Sequence, residues 1–509
     1  MTTLINLGRG RRGRGVGASL RTRQPARVLV PIALAAAGVG GGCRSYEPRP
    51  LDLPATRAAW LTRSPSDESV RQFAERLAQA EGRGEEPGGE AVFDLSDGLT
   101  LAEAEPVALL FNRELRLARL EADVARVSAD HAGRWDDPVA GVDVERIVSG
   151  VPDPWVVAGT LGLTIPISGR LAAEKDRAGA DHEAELRRLA AREWATRAAL
   201  RERWIDWSAQ AHRARLAHEL VARLGGIAEL ARRQERAGVM SRVEAQVFGV
   251  ELAGSEAELI TARARLAELE LQLRDILGLA PEAPVQLIES VAFTPRLTDP
   301  TSTREAMESG NPELAAARAE YEAAERALGL EVRKQYPDLT IGPGYGTDEG
   351  DERVLLGLQF PIPLWNRNRQ SVAEATARRE VARGRFESTY EHVASRLAIA
   401  RARHEAGRAM RQAVEDRVAP LADEQDADVR RIAELGGVEA LLLLQAVRSQ
   451  SEAKLRLVDA RAAEAIGAIL LEELIGPPAP VRSSAVPGPS EPGARSGAPA
   501  RPVPSGGRP

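Results

Sequence analysis

The sequence predicts a mainly α-helical protein with a small β part, built as a two-fold internal repeat of long coiled-coil helices and β-hairpins. Three observations support this fold class: apolar residues spaced three and four apart over long stretches, two short regions of strict alternation, and landmarks that recur about 200 residues later. Of the 509 residues, 43% are apolar, only 4% are aromatic and 28% are charged. Alanine-rich sequence with interspersed charges is typical of long packed helices, not of a compact enzyme.

The duplication is visible in four landmarks that keep their order along the chain. They are residues 112–115 with 311–314, Asp137-Pro138 with Tyr336-Pro337, residues 162–167 with 357–362, and Leu277-Gly278 with Ile475-Gly476. The offsets are 199, 199, 195 and 198 residues, and small insertions explain the drift. Four matches in register indicate a duplicated unit. We therefore predict repeats at residues 99–278 and 303–476, joined by a linker at 279–302.

The first 42 residues have the layout of an export signal. Seven arginines between Arg9 and Arg27 precede an apolar run at 28–39, three glycines and Cys43, the single cysteine of the chain. The apolar run is too short to span a bilayer, and small residues follow it as they do before a cleavage site. The segment resembles a bacterial lipoprotein signal, which implies an acylated Cys43 and a lipid-anchored extension at 43–98. The alternative is an ordinary signal cut nearby.

Each repeat is predicted to begin with a helix, at about 100–135 in the first copy. Apolar residues three and four apart place a seam on one helix face. The seam residues are Leu115, Ala118, Ala122, Ala125 and Ala129, and in the second copy Leu314, Ala317, Tyr321, Ala324 and Leu328. A proline, Pro138 or Pro337, ends each helix because it cannot continue the hydrogen-bonding pattern.

Two strands follow in each repeat. In residues 157–165 and 354–362 bulky apolar residues alternate with small or polar ones, and the partner strands are expected at about 139–147 and 339–347. This pattern fits a barrel wall with one face towards lipid and the other towards a lumen. An ordinary hairpin packed on a core is the alternative for any single strand.

The longest helices are predicted at about 170–236 and 367–435. A helix of this length extends roughly 100 Å at 1.5 Å per residue, which indicates a coiled coil or a tube. Turns at Gly238 and at Gly436-Gly437 lead into the return helices. Residues 477–509 consist mostly of Pro, Ser, Gly, Ala and Arg and are predicted to be disordered.

If these strands lie in a membrane, strand counting requires that several chains share one barrel. Four strands cannot close a barrel, since about eight is the smallest useful number. An open sheet edge is not tolerated inside a bilayer. Two chains would supply eight strands and three would supply twelve, and counting alone does not choose between them.

The order of elements, the duplication and local motifs resemble the TolC-type outer-membrane efflux family over about residues 97–476. At the first turn, Gly238, Ser241 and Glu244 match the family's tip pattern of Gly, Ser three residues later and an acid six residues later. The second turn matches at Gly436, Leu441, Ala446 and Arg448, and departs at Glu439, where Ser is usual, and at Gln445, where an acid is usual. Residues 361–369 look like a stretch of the cation-efflux, or heavy-metal, branch.

The resemblance implies a homotrimer, in which a trimeric α-barrel crosses the periplasm and a shared 12-stranded β-barrel lies in the outer membrane. The tips, with Gly238, Ser241, Gly436 and Gly437, would dock on a periplasmic adaptor (membrane fusion protein) and thereby on an inner-membrane RND-type pump. The lipid-anchored subunit would be a passive conduit for small molecules or metal cations.

No catalytic, cofactor or metal site is predicted. The chain lacks a Gly-x-Ser-x-Gly elbow, a His-Glu-x-x-His pair and a phosphate loop, and one cysteine cannot form a thiolate cluster. The net charge is −6, and the arginine-rich stretch precedes the apolar export segment, so nucleic-acid binding is not expected.

The acidic residues near the turns are the candidate functional groups. Glu244, Glu434 and Glu439 would each appear three times in a trimer, and a ring of carboxylates at an entrance favours cations. The alternative is that they are solvated helix-end charges. Two other classes of protein compete with a channel. A periplasmic adaptor would have one hairpin and no duplication, and a structural coiled-coil lipoprotein without a pore would not need the alternating strands.

Overall fold

The computed structural model describes residues 46–80, 93–150, 155–296, 299–348, 351–434 and 440–477. The predicted signal segment, Cys43 and the predicted tail beyond residue 477 lie outside these ranges. The chain divides into two compact units, residues 1–57 and 58–509. In the first unit, residues 46–52 have no regular structure and a helix begins at Leu53. The repeats lie in the second unit.

The helices and strands follow the duplicated order that the sequence predicts. Ahead of the repeats are α1 (Leu53–Leu61) and α2 (Glu68–Ala80). The first repeat contains α3 (Leu101–Phe111), α4 (Arg113–His131), β1 (Val139–Arg146), β2 (Trp155–Ile165), α5 (Arg170–Arg236) and α6 (Arg242–Ile276). The second contains α7 (Pro300–Gly310), α8 (Pro312–Arg333), β3 (Leu339–Asp348), β4 (Asp351–Gln359), α9 (Arg369–Ala413), a π-helical segment (Val414–Val418), α10 (Ala419–Glu434) and α11 (Ala440–Ile475).

Each predicted first helix consists of two helices that meet at an asparagine. The prediction of one helix over about 100–135 was wrong at Asn112, and the same break occurs at Asn311. The side-chain oxygen of Asn112 accepts hydrogen bonds from two backbone N–H groups of the first turn of α4, at 2.9 and 3.2 Å. Asn311 caps α8 in the same way, at 2.9 Å from the N–H of Leu314. These caps satisfy donors that the start of a helix leaves without partners.

The same asparagines tie the start of α4 and α8 to the end of the return helices. The side-chain amide of Asn112 donates to the carbonyl of Ile276 at 3.0 Å. In the second repeat, Asn311 donates to the carbonyl of Leu474 at 2.9 Å. Both asparagines are buried, so each bond replaces one that water would otherwise provide.

Two matched glycines permit a close backbone contact beside these bonds. Gly278 and Gly476 have φ angles of 69° and 88°. A Cβ atom at Gly278 would lie 2.2 Å from the carbonyl oxygen of Phe111, and one at Gly476 would lie 2.1 Å from that of Gly310. Only glycine is compatible with both the φ angle and the contact. The landmark at 112–115 and the landmark at Leu277-Gly278 therefore lie on the two sides of one helix-to-helix contact. Residues 311–314 and Ile475-Gly476 form the same contact in the second repeat.

One hairpin from each repeat contributes to a single antiparallel sheet in the order β1-β2-β3-β4. Its register confirms the predicted alternation, because bulky residues of neighbouring strands are paired on one side, here called the apolar sheet face. This face carries Val142, Val144, Val157, Leu161, Leu163, Ile165, Leu339, Ile341, Tyr345, Val354, Leu356 and Leu358. The opposite face carries mainly small or polar residues, among them Ala158, Thr160, Gly162, Thr164, Thr340, Gly342, Gly344 and Gly346.

The long helices differ between the repeats. Helix α5 runs for 67 residues without interruption, as predicted. The helix predicted at about 367–435 is present as one uninterrupted helical run, in which α9 has 45 residues, a π-helical segment has 5 and α10 has 16. A π turn accommodates an extra residue without ending the helix. Within it, Glu415 accepts hydrogen bonds from Arg411 at 2.5 Å and from Arg461 of α11 at 2.7 Å, which ties the segment to the return helix.

Helix α5 packs against helices of both repeats. It packs against α4 and α6 of its own repeat and against α8 and α11 of the second, and α9 packs against α8 and α11. Trp204 of α5 is fully buried in the core, where its indole N–H donates to the carbonyl of Ile288 at 3.0 Å. In the part of the chain that the structure describes, no helix combines the length and the hydropathy needed to cross a bilayer.

Candidate functional site

The described helical tip lies between α5 and α6. At the end of α5, Gly238 has a φ angle of 70°. Its N–H donates to the carbonyl of Glu235 at 2.9 Å, and the N–H of Val239 donates to that of Gln234 at 2.9 Å. This pair of bonds around a left-handed glycine is a common helix terminator. A Cβ atom at Gly238 would have no atom within 4 Å, so the φ angle, not crowding, favours glycine there.

Helix α6 begins with a reciprocal cap formed by Ser241 and Glu244. The Ser241 hydroxyl accepts from the N–H of Glu244 at 3.2 Å, and the Glu244 carboxylate accepts from the N–H of Ser241 at 2.8 Å. Such a capping box satisfies two donors at a helix start. The backbone and side-chain hydrogen bonds of Ser241 hold the pKa of Glu244 below its usual value. The predicted tip acid is therefore exposed, charged and fixed in position.

The remaining predicted site residues are not placed beside this turn by the described structure. Gly436, Gly437 and Glu439 lie between α10 and α11, outside the described residues, as Cys43 does at the other end of the chain. Glu434 is the last residue of α10, and only its backbone is described. Among the described residues, no group of three or more His, Cys, Asp or Glu side chains is arranged to hold a metal ion.

An apolar cluster beneath the tip joins the two helical hairpins. Its buried members are Leu224, Ile227, Ala228 and Ala231 of α5, Ala245 and Phe248 of α6, and Leu444 and Val447 of α11. Arg448, next along α11, forms an ion pair with Glu251 of α6 at 2.5 Å. Because α11 belongs to the second repeat, the cluster and this ion pair fix one hairpin against the other.

A buried polar network lies beside this cluster, and the sequence reasoning missed it. Asp426 of α10 is only 2% exposed and accepts a hydrogen bond from Arg223 of α5 at 2.5 Å; it is also paired with Arg430. Arg223 donates as well to the side chain of Gln450 on α11 at 2.5 Å. Removing one partner of a buried ion pair costs several kcal/mol, so the network holds three helices together. In the sequence, Asp426 looks like any exposed helical acid.

Helix α6 carries a second apolar stripe that no described helix covers. Its residues are spaced three and four apart and are all exposed: Val243, Val247, Val250, Gly254, Ala257, Ile260, Ala264, Ala267 and Leu271. We call it the outer stripe. Val250 and Ile260 are 74% and 70% exposed, whereas Leu259 and Leu273 on the other side of α6 are buried against the core. Repeated three–four spacing is the pattern of a helix seam.

Helix α4 has a shorter exposed stripe of the same kind. Its members are Leu117, Leu120, Val124 and Val127. They lie on a different side of α4 from the buried seam residues Leu115, Ala118 and Ala122, which the sequence predicted. Exposed apolar stripes of this kind are typical of surfaces that contact another protein or a membrane.

The sheet ends on two free edges. Within the described residues, β1 pairs only with β2 and β4 pairs only with β3. The apolar sheet face is open as well, since Val142 and Leu356 are both 71% exposed. Free backbone groups at a sheet edge are a template for another strand.

An ion cluster around Arg170 holds the junction between the strands and the helices. Arg170 donates to Asp338 and to Asp136, both at 2.5 Å, and the hydroxyl of Ser168 donates to Asp338 at 2.7 Å. Burial raises the pKa of Asp338, but the hydrogen bonds from Arg170 and Ser168 outweigh it and leave the pKa below its usual value. The charged carboxylate thereby connects β3 of the second repeat to α5 of the first.

Two halves of long paired helices, each with one hairpin, together with free sheet edges and uncovered helical stripes, define the class of helical outer-membrane channel subunits. Residues 106–279 and 304–477 each match the family model described as "Outer membrane efflux protein". The chain belongs to this family. Its members are channels, not enzymes, as the sequence predicted. The predicted mainly helical fold with an internal repeat is confirmed, and the trimer with its shared 12-stranded barrel stays a prediction.

Individual relatives agree with the family match. The chain is 27% identical over 231 residues to the cobalt-zinc-cadmium resistance protein CzcC of Cupriavidus metallidurans, a match that covers 45% of this chain and 55% of CzcC. The chain thus spans about half the length of this curated relative.

Solved structures of channels share the fold. The outer membrane protein VceC of Vibrio cholerae matches with a TM-score of 0.60 at 18% identity, over 74% of this chain and 96% of VceC. CusC, whose structures concern folding and transmembrane channel formation, matches with a TM-score of 0.62 at 15% identity, over 78% of this chain and 96% of CusC. At these identities the similarity shows the fold alone.

Proposed function

We propose that this protein is the outer-membrane channel subunit of a tripartite efflux system and acts as a passive conduit in a homotrimer. The observation that carries the proposal is the set of surfaces that one chain leaves uncovered: both sheet edges, the apolar stripe of α4 and the outer stripe of α6. Four strands cannot close a barrel, and a bilayer does not tolerate an open edge. Three chains supply the twelve strands of one shared β-barrel, with the helices forming an α-barrel.

The geometry of the edges favours a ring. The edges of β1 and β4 are different surfaces of one chain, so each copy offers one edge to the copy before it and the other to the copy after it. A head-to-tail interface of this kind closes into a ring when the rotation between copies permits it. The outer stripe of α6 would pack on a helix of the neighbouring copy in the same ring.

The sheet provides the membrane part of the proposal. The apolar sheet face would contact lipid, and the small and polar face would line the lumen, as in outer-membrane barrels generally. The helices would then project into the periplasm. Acylation of Cys43 would add a second attachment to the outer membrane. Lipid at both the sulfur and the amine of this residue would provide several acyl chains, which hold a protein far more firmly than one.

The helical tips provide the proposed contact with the partners. Gly238 and Ser241 lie in an exposed turn, and Gly436 and Gly437 occupy the equivalent place in the sequence of the second repeat. We assign these tips to docking on a periplasmic adaptor, which couples the conduit to an inner-membrane RND-type pump. No nucleic acid is involved.

The cargo is proposed from the tip acids and from the CzcC relative. Rings formed by Glu244, Glu434 and Glu439 would favour cations at the entrance. The similarity to a cobalt-zinc-cadmium resistance protein supports metal cations among the exported small solutes.

The trimer is tested by a matched pair of charge substitutions in α6. Ile260→Glu places a carboxylate in the outer stripe, whereas Thr261→Glu places the same charge on an exposed position about 100° further around the helix. We expect detergent-purified wild type and Thr261→Glu to have the mass of three chains and to conduct ions in planar bilayers. Ile260→Glu is expected to shift the mass towards one chain and to lose conductance. A monomeric, non-conducting wild type would refute the channel.

A further inference from the structure

The loops that lead from strand to helix begin alike in the two repeats. In the first, the N–H of Ile167 donates to the carbonyl of Ile165 at 3.0 Å, across Pro166. In the second, the N–H of Leu364 donates to the carbonyl of Ile362 at 2.9 Å, across Pro363. The two loops therefore share the same tight turn, which lies two residues later in the second repeat when counted from the matched residues 162–167 and 357–362.

Immediately after the turn the loops diverge. Ser168 is 7% exposed and is hydrogen bonded to Asp338, as described above. Trp365, which follows the turn proline of the second repeat by the same two residues, is 87% exposed. An indole so exposed is unusual, because burying an aromatic side chain is strongly favourable. The second repeat therefore presents an apolar group outwards where the first repeat has a buried polar one.

The loop holds Trp365 outwards with a backbone conformation that needs support. Arg367 and Asn368 both have positive φ angles, 47° and 52°, which are costly for residues with a Cβ atom. The side-chain amide of Asn368 donates to the backbone carbonyl of Glu331 at 2.9 Å, and Nε of Arg367 donates to the carbonyl of Pro363 at 3.1 Å. The side chains of Asn368 and Arg367 thus form hydrogen bonds that stabilise this loop conformation.

The exposed indole lies at the end of a continuous apolar stripe. The stripe follows alternate residues of β4 and the loop, all more than half exposed: Val354, Leu356, Leu358, Phe360, Ile362 and Leu364. The eight residue steps from Val354 to Ile362, ahead of the tight turn, span at most about 26 Å, or about 20 Å in height at a strand tilt near 40°. That height covers most of the apolar band of outer-membrane barrels, which is about 25 Å tall. Beyond Trp365, the chain turns into the polar helix α9.

We propose that the loop at residues 360–368 is a lipid-interface anchor, in which Trp365 lies between the headgroups and the acyl chains of the leaflet on the helical side. The inference rests on the proposed function, since it requires the strands to be in a membrane. Tryptophan favours this level because its ring is apolar and its N–H is polar. Arg367 and Arg369 are exposed beside it and supply positive charge at the level of lipid phosphates.

The test measures the depth of Trp365 in reconstituted protein. The full-length protein and Trp365→Phe are placed in phosphatidylcholine vesicles that carry bromine either near the headgroup end or near the methyl end of the acyl chains. The difference between their emission spectra isolates Trp365 among the seven tryptophans. A control tryptophan is introduced by Leu421→Trp, on the exposed surface of α10, in the Trp365→Phe background.

We expect the difference emission to be blue-shifted and to lose more intensity with bromine near the headgroups than near the methyl ends, whereas the control tryptophan is not quenched by either lipid. Quenching by aqueous iodide and by neither lipid would overturn the anchor, and protection from both quenchers would instead place Trp365 against another protein. Stronger quenching by the deep bromines would overturn the interfacial level. If the vesicles conduct ions but the anchor test fails, only the anchor is overturned and the channel proposal remains. If the protein does not insert into the vesicles, both proposals are overturned.

Discussion

The two repeats are alike where their helices meet end to end and different where strand becomes helix. Both use a buried asparagine to cap one helix and bind the carbonyl end of another, and both place a glycine against a backbone carbonyl. By contrast, α5 is continuous whereas its counterpart contains a π-helical segment, and Ser168 is buried where Trp365 is exposed.

The difference separates residues that hold the fold from residues free to serve a surface. The asparagine and the glycine of each repeat contact backbone atoms of another helix, so a substitution at either position should be costly in both repeats. The loops and long helices face other molecules in the proposed trimer, where the two halves of a chain need not be equivalent. A residue that is retained in both repeats is thus better explained by packing within the chain. A residue that is present in only one repeat is better explained by contact with another molecule.

The largest expected effect comes from the matched glycines. Gly278→Ala and Gly476→Ala combine positive φ with a contact near 2 Å, and each should lower the free energy of unfolding by on the order of 3–5 kcal/mol. Gly238→Ala is the control, because its φ angle is the same but its surroundings are open; about 1–2 kcal/mol is expected. Denaturant titrations followed by circular dichroism measure the losses. Equal losses at all three sites would show that φ alone matters.

The matched asparagines come next. Asn112→Ala and Asn311→Ala each remove a helix cap and a buried hydrogen bond, and each should cost about 2–3 kcal/mol. Because the geometry is the same in both repeats, the two losses should agree closely in the same titrations. Asn→Asp at either position keeps the cap oxygen but loses the amide donor. The free energy of unfolding of this variant should therefore lie between those of wild type and the Ala variant. A large effect in one repeat only would break the equivalence.

The connection between the repeats at Asp338 should give a smaller, pH-dependent effect. Asp338→Asn removes the charged partner of Arg170 and should cost about 1–2 kcal/mol at pH 7. The pKa of Asp338 is lowered in the folded protein, so its contribution is fully present above the unfolded value, near 4, and is lost as the pH falls through the lower folded value. Unfolding titrations at pH 7 and pH 3 should therefore show the cost shrinking in acid. A constant cost would mean that the carboxylate charge is not involved.

The sequence predicts what is local and periodic. The alternating strand faces followed from period-two spacing, and α5 from its long periodic pattern, because both patterns reflect which side chains share a face. The breaks at Asn112 and Asn311 were missed since apolar spacing continues across them while only the backbone angles change. Asp426 was missed because burial of an acid depends on Arg223, which is 203 residues away. The outer stripe of α6 was not predicted: its spacing is present in the sequence, but only the packed structure shows that this chain does not cover it.

The smallest expected effect on stability, and the most informative on function, is at the tips. Glu244→Gln keeps the capping box, since Gln serves in place of Glu, and removes only the charge. Unfolding should therefore be almost unchanged, whereas cation selectivity measured from reversal potentials in bilayers should fall. Ser241→Ala removes the cap hydroxyl and retains the charge, so it should leave selectivity unaltered. Glu439→Gln makes the same test at the second tip, where the acid stands in place of a capping Ser. If selectivity falls for Glu439→Gln alone, the charge at the first tip serves its helix and the entrance charge belongs to the second repeat.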